Sequence, residues 1–255
     1  MTATSWFDNE VALVTGAGAG IGRAVALAFA TQGARVVVAD RRLDWAAETV
    51  RLVQGLGAQA LAVQSDVTVA TDVQAMVATA VEHFGGLNFA VNNAGIEGAV
   101  FVPVADYAES VWDDVIAVNL KGVFLCMKYQ LPHLVASRGA IVNTASVAGL
   151  SGGRMGSAYY ASKHGVVGLT RAAAMEYADK GVRVNAVAPG VISTDMAERA
   201  FVQTKVPAAR IDAMHPLGRM GTAQEVANAI VWLCSSHASF ITGHTLPVDG
   251  GFLVP

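Results

Sequence analysis

The sequence predicts an α/β protein, a parallel sheet with helices on both faces. Three observations predict it. Short apolar, β-branched runs alternate along the chain with longer helix-compatible stretches, as repeated βα units require. The first apolar run ends in a glycine cluster, Gly16-Ala-Gly-Ala-Gly-Ile-Gly22, that opens onto an alanine-rich helical stretch. The connections are short, and no composition shift, low-complexity linker or internal repeat divides the 255 residues, so a single domain over 1–255 is expected.

In order, Glu10 to Thr15 reads as a strand and Arg23 to Thr31 as a helix, with the glycines between them. A helix N-terminus carries unpaired N–H groups and partial positive charge, and glycine lets a diphosphate approach the backbone closely. Gly16, Gly18, Gly20, Ile21 and Gly22 are therefore candidate phosphate-binding positions. The common GxGxxG fingerprint does not fit; the pattern is Thr15-Gly16-x-x-x-Gly20-x-Gly22. Arg35 to Asp40 is the second strand. Its Asp40 can accept both ribose hydroxyls of an adenosine and would repel a 2′-phosphate, which favours NAD over NADP. Arg41 and Arg42 pull the other way, since an arginine there can stack on adenine or hold a phosphate.

Leu43 to Leu56 suits a helix, Ala58 to Val63 a strand closed by Ser65-Asp66-Val67, and Asp72 to Phe84 a helix with Val73, Val77 and Val81 on one face. Leu87 to Val91 is the next strand, followed by Asn92-Asn93-Ala94-Gly95. Trp112 to Leu134 reads as one long helix carrying Asn119, and Gly139 to Thr144 as a strand ending at Ala145-Ser146. Ser157 to Asp179 is helical, Val182 to Val187 a strand, and Ala188-Pro189-Gly190 its exit. Segment 191–221 has weak periodicity and reads as an insertion. Glu225 to Ser235 is a helix, and a last short strand follows from His244.

The chemistry gathers at Tyr159 and Lys163. Four residues apart on a helix, they share a face, with about 5–6 Å between their Cβ atoms. A free tyrosine has a pKa of about 10, and a cation within about 4–6 Å favours its phenolate. Such a phenol can exchange a proton with an alcohol or ketone. The pair alone also fits an ordinary surface helix. Ser146 could merely cap the chain leaving its strand, Asn119 could be a buried amide, Asn92 and Asn93 a turn, and Thr194 and Asp195 helix caps. His164 points elsewhere on the helix and reads as packing or surface.

Composition narrows the function classes. Hydrophobic residues make up 53% and charged residues 15%, which excludes disordered and collagen-like classes. A net charge of −3 without basic runs gives no footprint for nucleic acid or an anionic membrane. No unbroken run of 18 apolar residues suggests a spanning helix, and the N-terminus lacks signal-peptide character, so a cytoplasmic location is expected. Cys126 and Cys234 read as free buried thiols, and the six histidines show no metal-type spacing, so no metal site is expected.

Taken together, Thr15-Gly-x-x-x-Gly-x-Gly22, Asp66, Asn92-Asn93-Ala94-Gly95, Asn119, Ser146, Tyr159-x-x-x-Lys163, and Pro189-Gly190 with Thr194 resemble the short-chain dehydrogenase/reductase family over essentially the whole chain. The resemblance implies a Rossmann-type, doubly wound, three-layer αβα fold with about seven strands in order 3-2-1-4-5-6-7. It implies Tyr159 as acid/base, Ser146 on the substrate oxygen, Lys163 on the nicotinamide ribose and Asn119 anchoring a water. It places the dinucleotide on Gly16, Gly18, Gly20, Ile21, Gly22, Asp40, Arg41, Asp66, Val67, Asn93, Ala94, Gly95, Tyr159, Lys163, Pro189, Gly190, Ile192 and Thr194. Position 19 is Ala, where many NADP-using relatives carry a basic residue. A homotetramer is the family's common assembly, and the apolar tail Gly250 to Pro255 permits one.

The expected function is NAD-dependent hydride transfer between a secondary alcohol and its ketone, with Ser146, Tyr159, Ile96, Gly152, Met155, Met196 and Phe201 among the substrate contacts. These are mostly apolar, which favours a hydrophobic or cyclic alcohol. The segment Phe124 to Gln130 is similar to that of dehydrogenases of cyclic diols. The alternatives are a 3-oxoacyl-thioester (acyl-carrier-protein) reductase, against which Asp40 counts, and a non-catalytic dinucleotide-binding protein.

Overall fold

In a computed structural model, residues 5–204 and 207–254 are described, with the side chains of 201–204 and 208 outside that description. Seven strands form one parallel sheet in the order β3-β2-β1-β4-β5-β6-β7. They are β1 Val11–Thr15, β2 Arg35–Asp40, β3 Ala60–Gln64, β4 Phe89–Asn92, β5 Ala140–Thr144, β6 Arg183–Pro189 and β7 Thr245–Val248. The expected strand order stands. β1 is flanked by β2, with Leu13 opposite Val37, and by β4, with Leu13 opposite Ala90. The winding therefore reverses between β1 and β4, and a crevice opens where their C-terminal ends part.

Period-two alternation divides each strand between two cores. Ala12 and Val14 face one layer with Val25, Phe29, Ile230 and Leu233, beneath helices α1 Gly20–Thr31, α2 Leu43–Gly55 and the later α9. Val11 and Leu13 face the other with Met76, Leu131, Leu134 and Val166, beneath α3 Ala70–Phe84 and the helices over 122–137 and 157–177. Strands covered on both faces have no polar side to show, which is why they read as unbroken apolar runs.

The long helix expected over 112–134 contains an interruption. It runs as α4 Glu109–Ile116, a π-helical turn Ala117–Lys121, then α5 Gly122–Ser137. The extra residue in that turn rotates the facing of the helix beyond it, and the turn carries the fully buried Asn119. Helix α6 spans Ser157–Tyr177 and continues as a 3₁₀ turn to Lys180. The insertion 191–221 is more ordered than its periodicity suggested. It holds α7 Asp195–Thr204 and α8 Ala208–Asp212, and its two ends are joined by the bridge Ile192–Gly221. Helix α9, Ala223–Cys234, starts with a capping box in which Thr222 and Glu225 satisfy each other's backbone N–H groups.

A directional chain of side chains crosses the second core. Gln130 donates to Asn92 at 2.9 Å, Asn92 to Asn143 at 2.9 Å, Asn143 to Thr170 at 3.0 Å, and Thr170 to the Val166 carbonyl at 2.7 Å. It ties α5, β4, β5 and α6 together at the level where the strands end.

Gly139, just before β5, has no room for a side chain, since an added Cβ would stand 2.0 Å from the Asn88 carbonyl oxygen. Gly139→Ala is expected to destabilise the protein by about 1–3 kcal/mol through overpacking. Thermal unfolding should register this as a fall of roughly 2–4 °C per kcal/mol.

Candidate active site

Parallel strands all emit their following loops at one edge, and the residues singled out from the sequence lie there. The glycine turn follows β1. Gly16 packs on the turn after β4, where an added Cβ would meet Ala94 Cα at 2.8 Å. A Cβ on Gly22 would meet the Gly16 carbonyl at 2.2 Å. Asn93 staples the two turns, its Nδ2 donating to the carbonyls of Thr15 and Gly16 at 3.1 and 3.2 Å. Thr15 Oγ1 in turn accepts from the backbone N–H groups of Asn93 and Ala94. Gly20 sits at φ +53 where α1 begins, with Thr194 across from it at 3.5 Å from where its Cβ would be.

Asp40 ends β2 with both carboxylate oxygens turned to backbone donors, Gly18 N and Arg42 N, each at 2.9 Å. Arg42 is engaged elsewhere, paired with Asp44 at 2.7 Å and stacked on Trp45 at 4.1 Å. Arg41 is exposed. Asp66 accepts from Thr68 N and Oγ1, which fixes the turn after β3. Val67 packs on Gly122, where a Cβ would come within 2.8 Å of it.

Around Tyr159 three other residues converge. Lys163, 5% exposed, donates to the Thr144 carbonyl at 2.8 Å, and its Nζ stands 5.6 Å from the Tyr159 ring centroid. Ser146 accepts from Ala148 N at 3.1 Å, so it does cap the turn after β5, and its hydroxyl also meets the Tyr159 phenol. Asn119 is committed to the loop after β4: it accepts from Ile96 N at 2.8 Å and donates to Ile96 O at 2.9 Å. Gly95 passes over both groups, 3.3 Å from Asn119 Oδ1 and 3.8 Å from Lys163 Nζ by its absent Cβ.

The electrostatics differ from the expected lowering of the phenol by the lysine. Burial raises the Tyr159 pKa; contact with Ser146 opposes this, and the charge of Glu97 and the neighbouring Tyr160 add to it. Lys163 is itself pushed down to about 8 by burial, and its ammonium is spent on Thr144. Desolvation leads both shifts.

Ile96, Met155 and Met196 are partly buried, and Gly152 is exposed on the loop before α6. The backbone of Phe201 lies in α7; its side chain lies outside the described residues. Tyr160 braces the 152–156 loop through the Met155 backbone, with Gly153 close against its hydroxyl. Pro189 ends β6, followed by Gly190 and the half of the bridge at Ile192; Thr194 N-caps α7 through Ala197 N at 3.4 Å.

Comparison with known proteins gives consistent results. The family model described as "Enoyl-(Acyl carrier protein) reductase" matches residues 16–253. Cyclohexanol dehydrogenase of Acinetobacter sp. (strain SE19) is 46% identical over 247 residues, covering 96% of each chain. The 2,5-dichloro-2,5-cyclohexadiene-1,4-diol dehydrogenase of Sphingobium indicum (strain DSM 16412 / CCM 7286 / MTCC 6364 / B90A) is 43% identical over 96% of this chain and 97% of its own. The chain belongs to the short-chain dehydrogenase/reductase family. As a member of the short-chain dehydrogenases/reductases it is an oxidoreductase of alcohols and ketones. The crystal structure of levodione reductase superposes with a TM-score of 0.93 at 37% identity, covering 96% of this chain and 98% of that one.

The residues present fit the nicotinamide dinucleotide of short-chain dehydrogenases/reductases. The first turn of α1 has no acidic residue and no side-chain cap on its N-terminus, so its N–H groups face a glycine-walled cradle suited to a diphosphate. Asp40 beside Gly18 N suits a ribose diol.

One residue escaped the sequence reading. His215, 2% exposed, accepts from Val191 N through Nε2 at 3.0 Å while its Nδ1 meets the Ile211 carbonyl at 3.2 Å. It pins the segment after α8 to the exit of β6. Histidine spacing speaks only to metal sites, and a single buried histidine beside Pro216 carries no periodic signal.

Lys163 makes stability pH-dependent. Its folded pKa of about 8 lies below the unfolded value of about 10.4, so the unfolded chain holds more protons between them and stability rises with pH through that window. Denaturant unfolding at about pH 7.5 and about pH 9.5 should show wild type gaining roughly 1–2 kcal/mol that a Lys163→Met variant does not gain.

Proposed function

We propose that the protein is an NAD-dependent dehydrogenase of uncharged, hydrophobic secondary alcohols, cyclic ones above all, working reversibly on the ketone. The convergence of Tyr159, Ser146 and Lys163 at the edge that also carries Asp40 and the glycine turn is the observation that carries this reading. The apolar candidates Ile96, Met155 and Met196 and the two relatives named for ring alcohols support the substrate class. Asp40 and the engagement of Arg42 by Asp44 and Trp45 support NAD, since no free guanidinium of Arg42 is left to meet a 2′-phosphate.

A bound nicotinamide ring supplies the hydride acceptor. The chain's own residues handle the proton. Ser146, fixed by the Ala148 N–H on its lone pair, turns its hydroxyl hydrogen from the Tyr159 phenol to the substrate oxygen. Tyr159 as phenolate removes the hydroxyl proton of the alcohol, and as phenol returns one to the ketone oxygen. Lys163, held by the Thr144 carbonyl, stands beside the phenol, where it would also hold the ribose of a bound dinucleotide. Asn119 holds the loop after β4 through Ile96 and so keeps Gly95 over the lysine.

The exposed Phe124 on α5, Met175 on α6 and Phe240 support burial against further copies of the chain, a homotetramer. Two buried free thiols, both raised to about 12 by desolvation, suit the reducing cytoplasm. Sedimentation of the purified protein checks the assembly.

Because burial raises the Tyr159 phenol, alcohol oxidation is expected to climb with pH above neutral, where more phenolate forms. Tyr159→Phe should lower oxidation of cyclohexanol by at least about 100-fold while dinucleotide binding, followed by fluorescence, persists. Undiminished turnover by that variant would remove the catalytic assignment. Turnover should favour NADH over NADPH, and Asp40→Ala should narrow the preference; a wild-type preference for NADPH would favour the 3-oxoacyl-thioester reductase reading.

A further inference from the structure

Two walls of the cleft come from distant parts of the chain, the loop after β4 and helix α7. An ion pair joins them: Arg199 Nε donates to Glu97 Oε1 at 3.0 Å across 102 residues of sequence. The two charges are not equivalent. The Glu97 side chain is 16% exposed and that of Arg199 53%, so water screens the guanidinium more than the carboxylate. Glu97 is also held from behind, because Asn119 clamps both backbone polar groups of its neighbour Ile96. The Tyr159 phenol feels the carboxylate, which disfavours its ionisation. From the reacting phenol, the pair therefore presents negative charge rather than a neutral couple.

We propose that Glu97, braced by Arg199, is a specificity-determining residue that selects uncharged alcohols over substrates carrying an anionic group near the reacting carbon. This rests on the reading of the site as an alcohol dehydrogenase centred on Tyr159, and it names the charge its substrates must lack. Glu97 stands two residues beyond Gly95, whose absent Cβ would lie 3.8 Å from Lys163 Nζ, so a carboxylate, phosphate or sulfonate brought to Tyr159 comes within Coulombic reach of it. Two like charges several ångströms apart in a partly screened cleft are worth about a factor of ten in affinity.

The test compares one ring with and without charge: cyclohexanol and 4-hydroxycyclohexanecarboxylate, each with NAD. In wild type, kcat/KM should be higher for the neutral alcohol. Glu97→Gln keeps the shape and removes the charge, so that ratio should fall about tenfold, through KM for the anion. The acid limb of the oxidation profile should also move to lower pH, because a carboxylate that opposed the phenolate is gone. Glu97→Asp should restore both effects in part. Arg199→Met keeps the carboxylate and removes its partner, so the ratio should rise; this variant decides the matter if Glu97→Gln does not fold. An unchanged ratio in active variants, or a wild type that prefers the anion, overturns the proposal alone. A wild type that oxidises neither ring alcohol overturns the dehydrogenase reading and this proposal with it.

Discussion

The structure depends on one constraint: parallel strands must all end on the same side. Everything the chain needs at one place is delivered there by topology, whatever the distance along the sequence. Thr15, Asp40, Asn93, Ser146 and Pro189 come from five different strand exits, yet they line one edge. The staple of Asn93 onto the carbonyls of Thr15 and Gly16 turns that coincidence of ends into fixed geometry. The Thr15 hydroxyl adds to it from the other side, accepting from the backbone N–H groups of Asn93 and Ala94.

Dryness is the second theme of the site. The same burial that holds Lys163 and Tyr159 in place makes each reluctant to carry charge. The carbonyl of Thr144 compensates the ammonium, and the Ser146 hydroxyl partly compensates the phenol. Charging either group in place costs the folded protein stability that the two well-packed cores must offset.

How much of this is legible in the sequence depends on the kind of signal each feature leaves. The sheet is readable because doubly covered strands are continuous apolar runs, and its helices because they repeat every three to four residues. The grouping of Ser146 and Lys163 about Tyr159 is readable through spacing. The π-helical turn at Ala117–Lys121 is not, since one extra residue in a helix leaves no pattern in composition. Nor are His215 and the Glu97–Arg199 pair, which exist only because chain segments far apart in order meet in space. The segment 191–221 looks irregular because its helices are short and its closure rests on the Ile192–Gly221 bridge, a contact with no local signature.

The side-chain chain from Gln130 through Asn92 and Asn143 to Thr170 has a polarity, each of its links donating from the α5 side toward α6. A slip of β4 by one position against β5 would turn Asn92 to the opposite layer and strand its amide among hydrocarbon. The ladder thus acts as a key to strand alignment, since the native register keeps its amides paired and a slipped one does not. Accuracy at the chemical centre begins with a checkpoint buried one layer beneath it.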